Sequence, residues 1–349
     1  MLEMMNAAVM HNLNDLRLEK IEKPKVKAGT ILLRVHSCAL CGSDLRILRS
    51  GNSRVRYPAV IGHEIAGEII AVGGDVKNFS PGERIALGAD VPCGICNFCT
   101  KGMGNCCDEN YALGYQFPGG FAEYCLLEPM IVNYGPIVKV PDAVSYDEAA
   151  LMEPLACVLN GFELVQMKRG KSVLLIGGGP MGCLGIMAAK ALGASKVILA
   201  EIDDDRLDLA RSFGADFYIN PKRNDLKERI SEITEKTGVD VVFTMCPSVE
   251  AHEQAIELVA KRGYVNLFGG LPKEARKAQI SSNSIHYKEC FVTGSHGSTP
   301  RHNALAMQLI VSGKVNVKSL ITHRFPLSQI YQGLAVMKEM TGLKVIINP

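Results

Sequence analysis

The stretch LLIGGGPMGCLGIMAAKALGASKVILAEIDDD, residues 174–205, decides the fold of this chain. An apolar run at 172–176 predicts a buried parallel strand, and a glycine turn follows it directly. Residues 181–192 are apolar with small side chains and predict a buried helix, and residues 196–200 predict a second strand that is closed by Glu201. A strand, turn, helix, strand and acid in this order indicate a βαβ unit that binds a dinucleotide.

The three spaced glycines each have a physical task in such a unit. Gly177 permits a tight turn, Gly179 lets a pyrophosphate approach the backbone, and Gly182 lets the helix pack closely on the strands. The helix N-terminus then presents free N–H groups and the positive end of its dipole to the phosphates. The predicted cofactor-binding residues are Gly177, Gly179, Pro180, Met181, Gly182, Glu201 and Arg206.

Glu201 gives the choice of cofactor. It lies 24 residues after Gly177, near the spacing expected of a carboxylate that binds the ribose hydroxyls. A carboxylate at this position repels a 2′-phosphate, so the sequence predicts NAD rather than NADP. The alternative interpretation is a glycine-rich turn in another kind of α/β protein, and the complete pattern around the glycines favours the dinucleotide.

Composition limits the remaining possibilities. The chain has 349 residues, which exceeds one ordinary domain and predicts two. Lys and Arg total 38 and Asp and Glu total 36, so the net charge of +2 indicates neither a nucleic-acid partner nor a membrane surface. No apolar run reaches about 18 residues, and the N-terminus lacks the basic start and apolar core of a signal peptide. We expect a soluble cytoplasmic protein that acts on a small molecule.

The 12 cysteines include the most specific motif of the chain. Its members are Cys93, Cys96, Cys99 and Cys107. Four thiolates at this spacing can close a tetrahedron around one Zn²⁺ with no open position, which is a structural site. Cys106 is the alternative to Cys107 as the fourth ligand. An iron–sulfur cluster also uses four thiolates, but we favour zinc, and free cysteines in a loop are the weakest interpretation.

The remaining pattern divides the chain into two domains. Strands are predicted in the first part at 5–9, 31–38, 65–72 and 137–140, and strands and helices then alternate. The alternating segments are strands at 216–219, 239–244, 263–268 and 291–294 and helices at 204–213, 225–237 and 250–260. This alternation indicates a parallel, doubly wound sheet. A helix at 303–311 and a strand at 344–347 are expected to rejoin the first domain, so the predicted domains are 1–150 with 296–349, and 151–295.

Glu153 precedes Pro154 inside a helical, apolar pattern. The proline predicts a kink in that helix. The glutamate predicts a buried acid, which needs a partner.

Several motifs follow one another along the chain: Cys41-Gly-Ser-Asp44, Gly62-His63-Glu64, the four-cysteine segment, Gly119-Gly-Phe-Ala-Glu-Tyr124, Glu153-Pro154-Leu155 and the glycine turn with Glu201. In this order they resemble the zinc-containing medium-chain dehydrogenases. The resemblance covers nearly the whole chain. It implies an α/β protein with a β-rich, barrel-like (GroES-like) zinc domain, a doubly wound parallel-sheet Rossmann domain, and an active site in the cleft between them.

The resemblance also implies a catalytic zinc. Cys41, His63 and Glu64 match its ligands, and Glu153 matches an acidic position that reaches the zinc directly or through water. A catalytic zinc takes about three protein ligands and keeps one position open, and which of the two glutamates binds the resting zinc is left open. Glutamate at 153, where animal-type alcohol dehydrogenases usually have cysteine, resembles the polyol and threonine dehydrogenase branch.

Proton release is expected to begin at Ser43, which matches the hydroxyl that takes the proton of the substrate; the implied catalytic residues are thus Ser43, Glu64 and Glu153. Family members often carry a histidine three positions after this serine, where this chain has Arg46. Water or the ribose hydroxyl is therefore expected to carry the proton onward.

Substrate contacts are harder to assign. Sorbitol dehydrogenases carry an arginine–tyrosine pair where this chain reads Gly294-Ser-His296-Gly-Ser298. Four arginines follow Ser43, at 46, 49, 54 and 56, and they predict either recognition of a phosphate or carboxylate on the substrate or a solvated basic loop or subunit contact. The candidate substrate residues are Arg46, Tyr57, Phe121 and His296.

The sequence as a whole predicts an enzyme with two zinc ions per chain, one catalytic and one structural. We expect hydride transfer between NAD and a secondary alcohol of a polyol, sugar alcohol or sugar derivative. This substrate is either neutral or carries a phosphate or an acidic group. An L-threonine 3-dehydrogenase is the alternative within the same class. A nonenzymatic, zinc-stabilised structural or binding protein is the alternative of another class. The resemblance further implies a homodimer or homotetramer.

Overall fold

The computed structural model of the chain describes residues 2–349, which divide into two compact units. Unit 1 comprises residues 2–157 and 297–349, and unit 2 comprises residues 158–296. The first segment of unit 1 ends at Cys157, seven residues after the boundary at residue 150 that the sequence predicts. It falls inside a continuous helix, and a helix interior carries no turn signal that a sequence pattern could reveal.

The strands and helices of the described residues follow in chain order. The strands are β1 (Met4–Asn12), β2 (Asp15–Glu22), β3 (Ile31–Ala39), β4 (Ala59–Val60), β5 (Glu64–Val72), β6 (Arg84–Leu87), β7 (Asp90–Val91), β8 (Tyr111–Ala112), β9 (Tyr124–Leu127), β10 (Ile137–Lys139), β11 (Ser172–Ile176), β12 (Lys196–Ala200), β13 (Phe217–Ile219), β14 (Val239–Thr244), β15 (Val259–Leu267), β16 (Phe291–Gly294), β17 (Ile321–Pro326) and β18 (Lys344–Asn348). The helices are α1 (Gly42–Ser50), α2 (Pro129–Tyr134), α3 (Tyr146–Ala150), α4 (Met152–Leu164), α5 (Pro180–Ala191), α6 (Asp204–Ala210), α7 (Leu226–Ile233), α8 (Val249–Leu258), α9 (Ser282–Lys288), α10 (Pro300–Val311) and α11 (Ile330–Glu339).

Unit 1 is built on a sheet that the C-terminal segment completes and that is antiparallel except for the parallel pair of β17 and β18. Its strands lie in the order β10-β6-β5-β3-β18-β17, with β9 paired to β3, and a smaller sheet has the order β2-β1-β4. The central strand β3 is buried over most of its length and pairs with β5 from Ile31 to Ala39. The closing strand β18 pairs antiparallel with β3. The β-rich first domain expected from the resemblance is confirmed.

Unit 2 is the doubly wound parallel sheet that the sequence predicts. Its strand order is β13-β12-β11-β14-β15-β16, with all neighbouring strands parallel. This order reverses direction next to β11, which is the arrangement of dinucleotide-binding sheets. Every residue of α5 from Gly182 to Ala189 is buried, as its run of small and apolar side chains requires.

Several predicted element boundaries are wrong. The helix predicted at 225–237 ends at Ile233, because Glu235 and Lys236 adopt positive φ angles of 51° and 66°. The helix predicted to begin at 303 begins at Pro300, where Thr299 accepts a hydrogen bond from the backbone N–H of His302. Turn chemistry in the surrounding structure therefore decides where these helices begin and end.

The predicted kink at Pro154 is also wrong. α3 ends at Ala150, and α4 begins anew at Met152. Pro154 thus lies in the first turn of α4, where the N–H that it lacks would have no partner within the helix. The chain bends at Leu151, which has φ and ψ of −80° and 2°.

None of the helices within residues 2–349 has both the length and the apolar character needed to span a bilayer.

Candidate active site

A cysteine, a histidine and a glutamate meet at the ends of two central strands in the main sheet of unit 1. Cys41 follows β3 and precedes α1, while His63 and Glu64 lie at the start of β5. Because Ala39 of β3 is paired with Glu64 of β5, the antiparallel register brings the two strand ends together. One ligand atom of each of Cys41, His63 and Glu64 lies within 4.8 Å of the others.

His63 is oriented by the motif that contains Cys41. Its Nδ1 faces Asp44 Oδ1 at 3.5 Å, and its Nε2 lies 3.3 Å from the hydroxyl of Ser43. Asp44 is fully buried, and its other carboxylate oxygen accepts a hydrogen bond of 2.8 Å from the backbone N–H of Cys41. Burial lowers the pKa of His63, but the Asp44 carboxylate and the Cys41 side chain together outweigh burial, so the pKa lies well above the usual range.

These residues fit a zinc ion. Thiolate, imidazole and carboxylate are zinc ligands, and three protein ligands leave an open position for chemistry. A histidine that binds a metal through one ring nitrogen usually faces a carboxylate with the other, which is the position of Asp44. His63 Nδ1 and Asp44 Oδ1 are buried and have no hydrogen-bond partner of good geometry among the described residues. With Nδ1 facing Asp44, Nε2 is the nitrogen of His63 that remains for a metal.

Glu64 has a buried partner that the sequence analysis missed. Both of its carboxylate oxygens accept hydrogen bonds from Nζ of Lys344, the one to Oε2 at 2.6 Å. Glu64 is 0% exposed and Lys344 is 3% exposed. Burial lowers the pKa of Lys344, but the Glu64 carboxylate more than offsets it and raises the pKa. A lysine at the first position of an otherwise apolar strand was the available signal.

Glu153 is a buried acid, as predicted, but it stands apart from the three-residue cluster. It lies in the first turn of α4, is 5% exposed, and has Cys157 Sγ 3.3 Å from its Oε1. Burial raises the pKa of Glu153 to about 7, and the charge of His63 opposes this rise. Among the described residues, its carboxylate is not one of the groups whose ligand atoms meet within 4.8 Å. The structure thus brings together Cys41, His63 and Glu64, with Glu153 as a neighbour.

The four-cysteine segment folds around its own sulfur atoms. The Sγ atoms of Cys93, Cys96, Cys99 and Cys107 all lie within 4.8 Å of one another. Cys107 is 5% exposed, whereas Cys106 is exposed and outside this cluster. Backbone N–H groups of Asp108 and Cys99 lower the pKa of Cys96 to about 6, while burial raises the pKa of Cys99 to about 12. Four sulfurs this close carry several negative charges only if a cation is shared among them, which fits a closed zinc site.

The glycine turn of unit 2 has the geometry that its sequence predicts. Gly177 has a φ of 118°, a conformation that other residues rarely adopt. A Cβ at Gly182 would lie 1.9 Å from the carbonyl oxygen of Gly177, so only glycine allows α5 to start so close to β11. Gly179 is the N-cap of α5, and Pro180 and Met181 open the helix. Nη2 of Arg206 lies 3.2 Å from the position of a Cβ at Gly179, so a cation borders the turn.

Glu201 lies against the same turn. Its Oε2 accepts a hydrogen bond of 2.6 Å from the backbone N–H of Gly178, and its Oε1 accepts one of 3.0 Å from the backbone N–H of Asp203. Glu201 is 8% exposed. The carboxylate is therefore fixed at the end of β12, where the sequence analysis expects the ribose.

The four predicted substrate residues differ in position. Arg46 and Tyr57 are exposed in unit 1, and His296 is exposed at the end of unit 2, where its carbonyl accepts a hydrogen bond of 3.2 Å from Asn160. Phe121 is 1% exposed and belongs to the hydrophobic core of unit 1. Its ring carbon is 2.9 Å from the position of a Cβ at Gly62, so Phe121 packs against the loop that carries His63.

A tyrosine that the sequence analysis passed over borders the cluster. The ring centroid of Tyr115 lies 5.9 Å from that of His63. The guanidinium carbon of Arg54 lies 4.3 Å from the same Tyr115 centroid. Half of the arginine-rich segment is helical, since Arg46 and Arg49 belong to α1, so it is not the single loop that was predicted.

Comparison with known families gives two matches. Residues 27–142 match the alcohol dehydrogenase GroES-like domain, and residues 180–312 match the zinc-binding dehydrogenase family. Sorbitol dehydrogenase of Bacillus subtilis (strain 168) is 32% identical over 351 aligned residues, which cover 99% of this chain and 97% of that protein. L-Threonine 3-dehydrogenase of Pyrococcus abyssi is 34% identical over 315 aligned residues, which cover 88% of this chain and 87% of that protein.

Solved structures are similar over the whole chain. Galactitol-1-phosphate dehydrogenase of Escherichia coli has a TM-score of 0.90 at 28% identity and covers 99% of this chain and 100% of its own. A zinc-binding dehydrogenase of Sinorhizobium meliloti, bound to NADP, also has a TM-score of 0.90 at 28% identity, with 99% and 100% covered. Similarity at this level leaves the choice between NAD and NADP to the residues of the chain itself.

Proposed function

The chain belongs to the zinc-containing medium-chain dehydrogenases, and we propose that it transfers a hydride between NAD and a secondary alcohol of a polyol, sugar alcohol or sugar derivative. Membership establishes an alcohol dehydrogenase that uses zinc and a nicotinamide cofactor. The observation that carries the proposal is the convergence of Cys41, His63 and Glu64 within 4.8 Å, with a second acid, Glu153, close by. The relatives named for sorbitol and threonine oxidation support the polyol and threonine branch.

Cys41, His63 and one of the two acids, Glu64 or Glu153, would hold the catalytic zinc, and the cysteines at 93, 96, 99 and 107 would hold a structural one. A zinc ion held in the first site would lower the pKa of a bound alcohol, so that the alcohol could ionise near neutral pH. Asp44 fixes the ring of His63, and the buried pair of Glu64 and Lys344 limits the net charge of the site. Glu153 supplies a further carboxylate at its edge.

The proton of the substrate leaves through Ser43 in this proposal. Its hydroxyl lies 3.3 Å from Nε2 of His63, so it stands beside the ligand cluster and is able to accept a hydrogen bond from a bound alcohol. Arg46, at the position of the usual relay histidine, is exposed, and a guanidinium carries only hydrogen-bond donors. Because Arg46 has no acceptor to offer, water or the ribose hydroxyl takes the proton from Ser43.

A substrate panel tests the proposal. The panel contains sorbitol, galactitol, their phosphates, inositols and L-threonine, each with NAD and with NADP, followed by the absorbance of the reduced cofactor. We expect the largest kcat/KM for a polyol or sugar derivative with NAD. A larger kcat/KM for L-threonine would assign the chain to the threonine dehydrogenases instead. No turnover of any alcohol, together with one zinc per chain, would favour the nonenzymatic alternative.

Glu201 provides the cofactor arm of this experiment. Glu201→Gln removes the charge that would repel a 2′-phosphate and keeps the size of the side chain. We expect the NADP/NAD ratio of kcat/KM to rise by about tenfold or more, which corresponds to about 1.4 kcal/mol. Asp205→Asn is the control, because Asp205 is an exposed acid on the same segment. An unchanged ratio in Glu201→Gln would show that Glu201 does not contact the ribose.

The assembly and partners belong to the same proposal. We propose a homodimer or homotetramer that acts on small molecules, without a nucleic-acid or membrane partner. Size-exclusion chromatography with light scattering measures the oligomeric state directly.

A further inference from the structure

Arg54 carries a charge that the described part of the chain leaves without a carboxylate partner. Of the four arginines that follow Ser43, those at 46, 49 and 56 are exposed, and Arg54 is half-buried. Half-buried arginines are ordinarily paired, because desolvating a guanidinium without an anion is costly. Arg54 takes part in none of the ion pairs formed among residues 2–349, and its side-chain partners are Asn110 and the ring of Tyr115. The guanidinium therefore remains available to pair with an anion from outside the chain.

The guanidinium is held in place by Asn110. Nη1 of Arg54 donates to the carbonyl oxygen of Asn110 at 3.1 Å and to its Oδ1 at 3.2 Å. Asn110 has a φ of 50°, a left-handed conformation that lets its backbone and side-chain oxygens face the same donor. Asn52 Oδ1 accepts a hydrogen bond of 2.9 Å from the backbone N–H of Arg54. With Nη1 engaged, the Nε–Nη2 edge keeps its donors for a ligand, and this edge matches the two oxygens of a carboxylate or phosphate.

Tyr115 connects this cation to the candidate active site. Arg54 lies over the Tyr115 ring with 4.3 Å between the guanidinium carbon and the ring centroid. Tyr115 also contacts His63, with 5.9 Å between ring centroids. Tyr115 is thus a shared neighbour of Arg54 and His63. Stacking on an aromatic ring also fixes the plane of the guanidinium before any ligand binds.

Arg54 and Tyr115 both border a cavity of about 880 Å³ in unit 1. Apolar side chains such as Val60, Phe117 and Met130 line much of it. Its charged lining residues are two arginines and two glutamates, namely Arg54, Arg56, Glu22 and Glu128. Arg54 is therefore reachable by a ligand although it is half-buried.

We propose that Arg54, stacked on Tyr115, determines specificity by binding an anionic group, a phosphate or a carboxylate, at the end of the substrate remote from the oxidised alcohol. The inference rests on the proposed function, because it identifies the class of polyol or sugar derivative that the same site selects. It moves the anion-reading role from Arg46, the sequence candidate, to Arg54. Arg46 is exposed on α1, and the described residues give it none of the contacts that orient Arg54.

Paired substrates test the proposal. Galactitol and galactitol 1-phosphate form the phosphate arm, and galactitol and galactonate form the carboxylate arm. For whichever anion the site selects, we expect Arg54→Gln to lower the ratio of kcat/KM for the anionic substrate to kcat/KM for the neutral one by about 10- to 100-fold. The loss should arise mainly from a higher KM for the anionic substrate. The reason is that a hydrogen bond to a charged group contributes about 1.5–3 kcal/mol. Arg54→Lys keeps the charge but lacks the two-pronged donor, so it should fall between wild type and Arg54→Gln.

Arg49→Gln is the matched control, since it removes an exposed arginine of the same segment and should leave both ratios unchanged. An equal loss for neutral and anionic substrates in Arg54→Gln, or no change in either ratio, overturns the inference. Calorimetry measures the binding of galactitol 1-phosphate and of galactonate to the zinc- and NADH-loaded protein. This measurement distinguishes failure of the Arg54 inference from failure of the proposed function. Binding that depends on Arg54 supports the inference even if no polyol is oxidised, and binding that Arg54→Gln leaves unchanged overturns it.

Discussion

Lys344 and Glu64 form an ion pair that is almost wholly removed from water. Glu64 begins β5 and Lys344 begins β18, so the pair joins segments 280 positions apart in the sequence. The same lysine lies 3.4 Å from the carbonyl oxygen of Leu40, next to Cys41. Charges at such a depth are retained only when each has its partner. The pair therefore makes the closing strand of unit 1 a condition for the geometry of the candidate active site.

Removing the lysine alone should be strongly destabilising. Lys344→Met leaves the Glu64 carboxylate buried without an ammonium group, and we expect the free energy of unfolding to fall by about 3–5 kcal/mol. Urea unfolding monitored by circular dichroism measures this change.

The double variant Glu64→Gln, Lys344→Met is the control for that prediction. It removes both charges with similar side-chain volumes, so it should recover most of the lost stability. Equal destabilisation of the single and the double variant would mean that packing, and not charge, explains the role of Lys344.

The sequence predicts some residues of the candidate site and does not predict the contacts of others. Cys41, His63 and Glu64 stand in recognisable motifs, and the structure brings them together. Lys344 lies in a segment with the pattern of an ordinary apolar strand, so nothing local connects it to Glu64. Phe121 stands in a family motif and was predicted to contact substrate, but its burial depends on the path of the Gly62 loop that packs on it. Pairing and burial of this kind are set by tertiary contacts.

At the scale of elements, the segment 93–107 is a candidate metal-binding lobe that contains little regular secondary structure. It contains only two short 3₁₀ turns, Cys99–Lys101 and Gly104–Cys106. Backbone N–H groups point at its sulfurs: the N atom of Cys93 lies 3.3 Å from Cys107 Sγ, and that of Cys99 lies 3.4 Å from Cys96 Sγ. A segment with so little regular structure of its own depends on a cross-link, and a shared cation provides one.

The two adjacent cysteines of this lobe allow a matched test. Cys107→Ser removes a sulfur from the cluster, whereas Cys106→Ser changes an exposed sulfur one residue away. We expect zinc per chain, measured by atomic emission, to fall by about one in Cys107→Ser, and the lobe to become susceptible to proteolysis. Cys106→Ser should retain wild-type zinc and resistance. Loss of zinc in Cys106→Ser, with none in Cys107→Ser, would reverse the assignment of the fourth ligand.

Elements differ in how well the sequence predicts them. The strands at 172–176 and 196–200 are confirmed to the residue, because they are buried on both faces and bounded by glycine or acid. α4 is less predictable, since Pro154 suggests a kink where the chain has in fact ended one helix and begun another. A proline restricts the helix only on its N-terminal side, so the pattern does not reveal whether a turn or a new helix precedes it.

At the scale of the whole molecule, the candidate residues for metal binding and those for nucleotide binding belong to different units. All candidate metal ligands lie in unit 1, and the glycine turn with Glu201 lies in unit 2. The hydrophobic cores are separate as well. Leu33, Ile65 and Phe121 belong to the core of unit 1, and Leu174, Ile198 and Val242 belong to that of unit 2. Each unit therefore contains what it needs to keep its own site folded.

This separation predicts a selective effect of chelation. Dialysis against 1,10-phenanthroline should remove the zinc of the Cys41 site, which keeps an open position, before that of the closed four-cysteine site. We expect turnover to be lost with about one zinc per chain, while the Kd for NADH, measured by fluorescence, changes by less than about threefold, a shift well below 1.4 kcal/mol. The reason is that the candidate nucleotide-binding residues belong to unit 2 and the candidate metal ligands to unit 1. Restoration of turnover by added Zn²⁺, but not by Mg²⁺, is the control. If NADH binding or far-UV circular dichroism is lost together with the first zinc, then the metal also maintains the fold of the nucleotide unit, and the independence of the two units is wrong.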